Sequence, residues 1–346
     1  MLKSNFNPVV VRPCLARATR TTTLPNRRFS STPESGSSIS PSPVDGYTLS
    51  SGDTIPSVGL GTWRASGEDV GGAVKAALSA GYRHIDCAWE YGNEEAIGNA
   101  IQQSGVRRED LWLTSKLWNA SHSPEDVEPA LDETLTRLGT SYLDMYLIHW
   151  PVAILKEPYL TSGRFVVDKP LSDDMFPTWK KLEELVDKGK IKNVGVCNFT
   201  IWRFEQLMKN PLKYRPLVNQ VELSYWNPQP NLLAWAKSRK VLLEASSPLG
   251  GMRKVKETLE LPVFTEVAKL VNITPAQAVL SWLRQRGVVV LPKSTHPDRI
   301  KENIQAVTLP QELFEKIERA AVSHPPKRMI NPSGKWGFNF DIFGLT

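Results

Sequence analysis

Leu111-Trp-Leu-Thr-Ser-Lys-Leu-Trp118 places one lysine, Lys116, near the end of a run that otherwise reads as a buried strand. An unpaired ammonium taken out of water costs more than the net stability of a domain, so a carboxylate and hydrogen-bond acceptors must reach it from elsewhere. Upstream, Tyr82-Arg-His-Ile-Asp86 offers the carboxylate at the end of another strand-like run, with Tyr91 in the loop that follows. Downstream, Tyr142-Leu-Asp-Met-Tyr-Leu-Ile-His149 ends in an imidazole. Groups of these four kinds, once together, are suited to moving a proton and to stabilising charge as it forms. They meet if strand ends gather on one rim.

The chain supplies such strands. Val58–Gly61, Arg83–Asp86, Leu111–Leu117, Leu143–Ile148, Ile191–Val196, Leu217–Val221, Val241–Ala245 and Val288–Leu291 are apolar runs separated by helix-like segments. Eight strands alternating with helices predict an α/β fold, the (β/α)8 or TIM barrel. Tyr47-Thr-Leu and Thr54-Ile-Pro around Ser51-Gly52-Asp53 predict a hairpin before the first barrel strand. Val70, Val74, Ala77 and Leu78 form the stripe of the first helix, ended by Gly81. Ser123-Pro-Glu-Asp predicts a capped helix start, with Val127, Leu131, Leu135 and Leu138 on one face and Gly139 as the stop. Thr274-Pro-Ala-Gln277 has capping-box spacing, and Gly287 closes that helix. Residues 150–175 and the tail after Val322 read as long and irregular, the kind of segment that often carries function. The polar interruptions Asp86, Lys116, His149, Asn198, Gln220, Ser247, Lys293 and Ser294 fall at C-terminal strand ends. In such a barrel those ends form the active-site face.

A chain of 346 residues suits one large barrel domain, since these run to about 250 residues before insertions. No run of 18 apolar residues is present, so no membrane insertion is expected. Cys14, Cys87 and Cys197 are too few and scattered for a disulfide framework or a metal site. Of the formal +6 charge, +4 lies in residues 1–45, so the near-neutral body implies no nucleic-acid partner. That leader is rich in Arg, Ser and Thr and has no acid before Glu34, a mitochondrial transit composition with Arg27-Arg-Phe-Ser-Ser31 resembling a processing region. A plain extension on a cytoplasmic protein is the alternative. Ser35 to Ser42 reads as a flexible joint, with the folded body over residues 46–346.

Gly81-Tyr-Arg-His-Ile-Asp86 with Tyr91-Gly-Asn-Glu94, Leu113-Thr-Ser-Lys-Leu-Trp118, Leu147-Ile-His-Trp-Pro151, Gly195-Val-Cys-Asn-Phe199, Asn219-Gln-Val-Glu222 and Leu291-Pro-Lys-Ser-Thr through Arg299 to Glu302-Asn303 occur in order. Together they resemble the aldo-keto reductases, and the ending Trp336-Gly-Phe-Asn-Phe-Asp341 is similar to that of fungal members. The resemblance implies reduction of an aldehyde or ketone by NADPH, with Asp86, Tyr91, Lys116 and His149 as the catalytic tetrad. Tyr91 would give the proton, with Lys116 lowering the phenol's pKa from its usual value near 10, and His149 would orient the carbonyl. It further implies that Asn198 and Gln220 hold the carboxamide, that Ser247, Leu249 and Gly250 approach the pyrophosphate, and that Lys293, Ser294, Thr295, Arg299, Glu302 and Asn303 hold the adenosine end. No G-x-G-x-x-G run follows the first strand, which argues against a Rossmann site. Trp63, Trp118 and Trp150, with Trp336 and Phe338 from a tail looped over the mouth, would line the substrate pocket for a small carbonyl compound, and the near-neutral body and the resemblance imply a monomer.

Two departures stand out. Ser246 occupies a place where many relatives carry a tyrosine stacked on the nicotinamide, and Cys197 one where serine is common. They motivate a second reading, an NADPH-binding regulatory barrel with little turnover. A third, an isomerase or aldolase forming a Schiff base at Lys116, conflicts with Asp86 keeping that lysine protonated.

Overall fold

The computed structural model describes residues 46–344, so the expected leader and joint over residues 1–45 lie outside the described residues. Strands β1 (Gly46–Thr48) and β2 (Thr54–Pro56) pair antiparallel, with Leu49 N–H donating to Asp53 O and Gly52 N–H to Leu49 O across the predicted turn. Gly52 takes φ +97°, a conformation open to glycine without a Cβ penalty.

Eight parallel strands follow: β3 (Leu60–Gly61), β4 (His84–Asp86), β5 (Trp112–Leu117), β6 (Leu143–Ile148), β7 (Ile191–Cys197), β8 (Val218–Glu222), β9 (Leu242–Ser246) and β10 (Val288–Leu291). They neighbour one another in chain order, and Val58 bridges Val290 to close the ring. Each expected strand is present, Leu143–Ile148 and Val288–Leu291 with the expected ends and the other six with one or both ends shifted by one or two residues. Local pattern sets which face is buried; the exact end depends on where a neighbour's hydrogen bonds stop.

The barrel interior is filled by Trp112, Met145, Leu147, Cys197, Val218, Val289 and Leu291, with Leu49 and Ile55 of the hairpin segment packed beneath them. A larger apolar layer lies between strands and helices, where Val70, Val74, Ala77 and Leu78 of helix Gly67–Ser79 are buried as the sequence predicts. Each of the valines and the leucine contributes about 1.5–3 kcal/mol of burial, and Ala77 less. Gly98 lets helix Glu94–Ser104 lie against helix Pro124–Leu138, since a Cβ there would sit 2.7 Å from Arg137 O.

The Thr274 capping box forms on helix Pro275–Gln285, with Gln277 N–H to Thr274 Oγ1 at 3.2 Å and Thr274 N–H to Gln277 Oε1 at 2.9 Å. Ser123 occupies the N-cap of its helix, but its hydroxyl makes no capping bond; only its carbonyl joins the first turn. The segment expected to be irregular is partly ordered. It holds helices Lys156–Ser162 and Lys169–Asp173 and a bridge from Ile154 to Val167, short elements whose few residues leave little periodicity to read. No helix among the described residues is long and apolar enough to cross a membrane.

Candidate active site

Lys116 is fully buried near the C-terminal end of β5, where its ammonium donates to both carboxylate oxygens of Asp86 at 2.8 Å and to Cys87 O at 2.7 Å. Three N–H bonds use all its donors. Burial, the largest single influence, opposes its charge, but the Asp86 carboxylate together with Tyr91 and Cys197 outweighs it and holds the ammonium above the ordinary lysine range. An amine held this way is no nucleophile, which counts against the Schiff-base reading.

Tyr91 ends a short 3-10 turn, Trp89–Tyr91, and its ring centroid lies 5.1 Å from Lys116 Nζ. Several contacts fix that turn. Asn93 Nδ2 donates to Thr62 O and Ala65 O, Tyr159 donates its hydroxyl to Glu90, and the Trp89 indole N–H donates to Glu133. The expected fall in the phenol's pKa is not the net result. Burial pushes Tyr91 up by more than the Lys116 ammonium draws it down, so the phenol keeps its proton at neutral pH. The half-buried ring is surrounded by enough protein to disfavour a phenolate, and the one ammonium beside it is already paired with Asp86.

His149 follows β6, with its ring 5.8 Å from that of Tyr91 and 5.3 Å from that of Trp118. Burial, reinforced by the Lys116 charge, holds the imidazole well below its usual pKa, so it is neutral and carries one N–H to donate. Phenol, ammonium, carboxylate and imidazole, drawn from four separate segments, share one rim.

Two amides lie alongside. Gln220 Nε2 donates to Asp86 Oδ1 at 2.8 Å and to Glu244 Oε2 at 2.7 Å. Asn198 Nδ2 donates to His149 O at 3.0 Å and contacts Cys197 Sγ at 3.1 Å. Both amides turn their NH2 groups inward, and among the described residues neither oxygen has a partner within the chain. Asn198 and Ser247 take left-handed φ values of +64° and +53°, uncommon for residues with a side chain and often found where function fixes the backbone.

The loop Ser247 to Gly250 leads straight into helix Gly251–Glu260. Gly250 has φ +90°, and a Cβ there would come within 2.8 Å of Thr258 Oγ1 and 3.1 Å of Trp226 Cδ1. Leu249 is half-buried beside it. Ser246 ends β9 in register with Glu222 and Leu291. On the other side of β10, Lys293 and Arg299 are exposed and form no ion pair among the described residues, while Ser294 is buried and accepts from His296 N–H. Thr295 is half-buried, Glu302 accepts from the Thr274 hydroxyl, and Asn303 is buried at the end of helix Pro297–Asn303.

An aromatic wall stands over the rim. Trp336 of the tail lies 5.8 Å from Trp118, 5.2 Å from Trp150 and 4.9 Å, stacked, from Phe165. Trp150 also meets Phe343, and Phe338 packs on Trp336. Trp63 stands apart from this cluster, under the Arg64 guanidinium at 4.6 Å. Tyr159 and Phe165 were not expected from the sequence; their only signal is an aromatic spacing inside the 150–175 segment. Glu222 stands in a sequence motif that gives it no role of its own. Its carboxylate accepts from Met329 and Ile330 N–H at 2.7–3.0 Å and so ties the tail to the end of β8. Glu244 was also missed, although a charge in Leu242-Leu-Glu-Ala245 breaks a buried run just as Lys116 does.

Comparison with known proteins bears on the fold and the family. The chain is 40% identical over 308 residues to the Saccharomyces cerevisiae glycerol 2-dehydrogenase (NADP(+)), covering 86% of this chain and 96% of that protein. It is 40% identical over 306 residues to aldehyde reductase YPR1 of the same yeast, covering 85% and 96%. Among solved structures, the aldose reductase of Schistosoma japonicum superposes with a TM-score of 0.77 at 35% identity, over 85% of this chain and 97% of that one. The profile of the Aldo/keto reductase family matches residues 57–322, and with a closed eight-stranded barrel carrying its polar groups at one rim, the chain belongs to the aldo-keto reductase family.

Proposed function

We propose that this protein reduces aldehydes and ketones to alcohols with NADPH, Tyr91 serving as the proton donor. The observation that carries the reading is the neutral phenol beside a buried Lys116–Asp86 pair, with a neutral imidazole at the same rim. Bound NADPH supplies the hydride. His149 donates its N–H to the substrate oxygen and fixes its position. Tyr91 gives up its proton as that oxygen gains charge, and the Lys116 ammonium stabilises the phenolate that remains. Asp86 keeps Lys116 charged throughout.

The residues present fit the cofactor. A carboxamide carries one NH2 and one carbonyl, and the free oxygens of Asn198 and Gln220 offer acceptors for the former. The Cys197 thiol, a weak donor beside Asn198, would serve the latter. Lys293, Ser294 and Arg299 supply donors and unpaired positive charge for the adenosine 2′-phosphate, with Thr295, Glu302 and Asn303 next to them. Ser247, Leu249 and Gly250 pass the pyrophosphate. Walls formed by Trp118, Trp150, Trp336 and Phe165 suit a carbonyl on an apolar or small polyol body, in keeping with the aldehyde and glycerol named for the yeast relatives.

The deciding experiment follows loss of nicotinamide absorbance on adding aldehydes and ketones to the full chain with NADPH. Turnover is expected. Tight NADPH binding with no turnover on any member of the panel would instead favour the regulatory reading that Ser246 and Cys197 motivate. The leader composition supports a mitochondrial destination, and the near-neutral body supports a monomer; imaging of a C-terminal fluorescent fusion and light scattering test these two points.

A further inference from the structure

Four buried groups form one hydrogen-bonded chain across the barrel: Lys116, Asp86, Gln220 and Glu244, which are 0%, 4%, 2% and 0% exposed. The links measure 2.8, 2.8 and 2.7 Å. Glu244 is the end without an evident duty. It sits on β9 opposite Gln220 of β8, and its Oε1 is buried with no partner among the described residues. A buried carboxylate with one acceptor bond costs more than a hydrophobic residue of similar volume, so packing does not account for it. What it does is take the second amide hydrogen of Gln220, the first being taken by Asp86. With both hydrogens directed at carboxylates, the amide oxygen has one direction left, away from them and toward the mouth.

We propose that Glu244 is a positioning residue of the nicotinamide site: by holding the second Gln220 hydrogen it keeps the Gln220 carbonyl turned to the carboxamide, and its charge ties cofactor affinity to pH. The inference rests on the proposed NADPH reading of the mouth. Ionised, Glu244 is a strong acceptor and locks the amide. Protonated, it is a weaker acceptor and can donate its own hydrogen to the amide oxygen, drawing that oxygen from the mouth; the proton comes from and returns to water. The groups facing Glu244 are Asp86 of β4, Lys116 of β5 and the Cys197 thiol of β7, while β10 presents Val289 at its register position. Burial, then the Asp86 charge, pushes the Glu244 carboxyl up to about 7, inside the working range of pH.

The test compares wild type, Glu244→Gln and Glu244→Val as full chains, with NADPH dissociation constants read from tryptophan fluorescence between about pH 5.5 and 8.5. Dividing the wild-type constant by the Glu244→Gln constant at each pH cancels the ionisation of the cofactor phosphate. The ratio is expected to fall about three- to tenfold from the acid to the alkaline end, bending near pH 7, with Glu244→Val binding about tenfold more weakly than wild type above the bend. A flat ratio, or a folded Glu244→Val protein that binds as tightly as wild type, overturns the assignment. If circular dichroism shows Glu244→Val unfolded, the Gln ratio decides alone. A wild type that fails to bind NADPH at any pH removes both this role and the cofactor reading; one that binds and turns over with a flat ratio removes only the role of Glu244.

Discussion

Tyr91 and Lys116 divide the proton chemistry in a way that neither side chain shows alone. Since burial keeps the phenol protonated, the acid is loaded before any substrate arrives, and the ammonium matters most once negative charge appears. Tyr91→Phe should therefore lower carbonyl reduction by a factor of at least about 10², while NADPH affinity measured by fluorescence stays within experimental scatter. Lys116→Met leaves the Asp86 carboxylate buried with only Gln220 to serve it, so urea unfolding should show a loss of about 3–5 kcal/mol together with lost activity. Arg299→Ala should weaken NADPH by about tenfold and hardly touch NADH. Equal losses for both cofactors would place the phosphate elsewhere. Asp86, Lys116 and His149 were legible as anomalies of type, a charge or an imidazole inside or beside an apolar run, whereas the role of Tyr91, a loop residue, came from the resemblance. Glu244 carried the same signal and was overlooked, while the net rise of the Tyr91 pKa was not legible, because desolvation depends on what surrounds the ring in space.

Among the elements, strands and hairpin could be read from alternating punctuation, whereas the segments that cover the mouth could not. The tail after Val322 has no periodicity; its place is set by backbone N–H groups of Met329 and Ile330 on Glu222 and by rings from three other segments. Glu222→Gln weakens two charge-assisted bonds, worth about 1.5–3 kcal/mol each when intact. Faster trypsin cleavage in the tail and a rise of at least about threefold in KM for aromatic aldehydes are expected, with NADPH affinity preserved. A parallel loss of NADPH affinity would mean that Glu222 supports the barrel rather than the tail. At Gly250, positive φ and the crowding by Thr258 and Trp226 forbid a side chain without movement of the loop, so the motif's glycine was readable and its reason was not.

At the scale of the whole molecule, the fold buries histidines as well as hydrocarbons, His84 in β4 and His122 in the segment after β5. Burial lowers His84 to about 4 and His122 to about 3, from 6.5 in the unfolded chain. Between those values and 6.5 the unfolded state binds more protons, so stability present above pH 6.5 is lost as pH falls. The unfolding free energy from urea titration should drop between about pH 6.5 and 4.5, by on the order of 2 kcal/mol per histidine and with it the midpoint, and His122→Asn should blunt the drop. A midpoint that is flat over that interval in wild type would show that these imidazoles are not held neutral.

What the sequence determined by itself is the order of strands and helices, the face each one buries and the kinds of polar group at the strand ends, because these follow from the periodicity and chemistry of adjacent residues. What only the tertiary structure decided is how those groups share hydrogens: Lys116 spending all three on Asp86 and Cys87, Gln220 bridging two carboxylates, and Glu222 catching the tail a hundred residues later. A hydrogen bond is satisfied at about 3 Å whatever the separation along the chain, so its partner is a property of the closed barrel and not of any stretch that enters it.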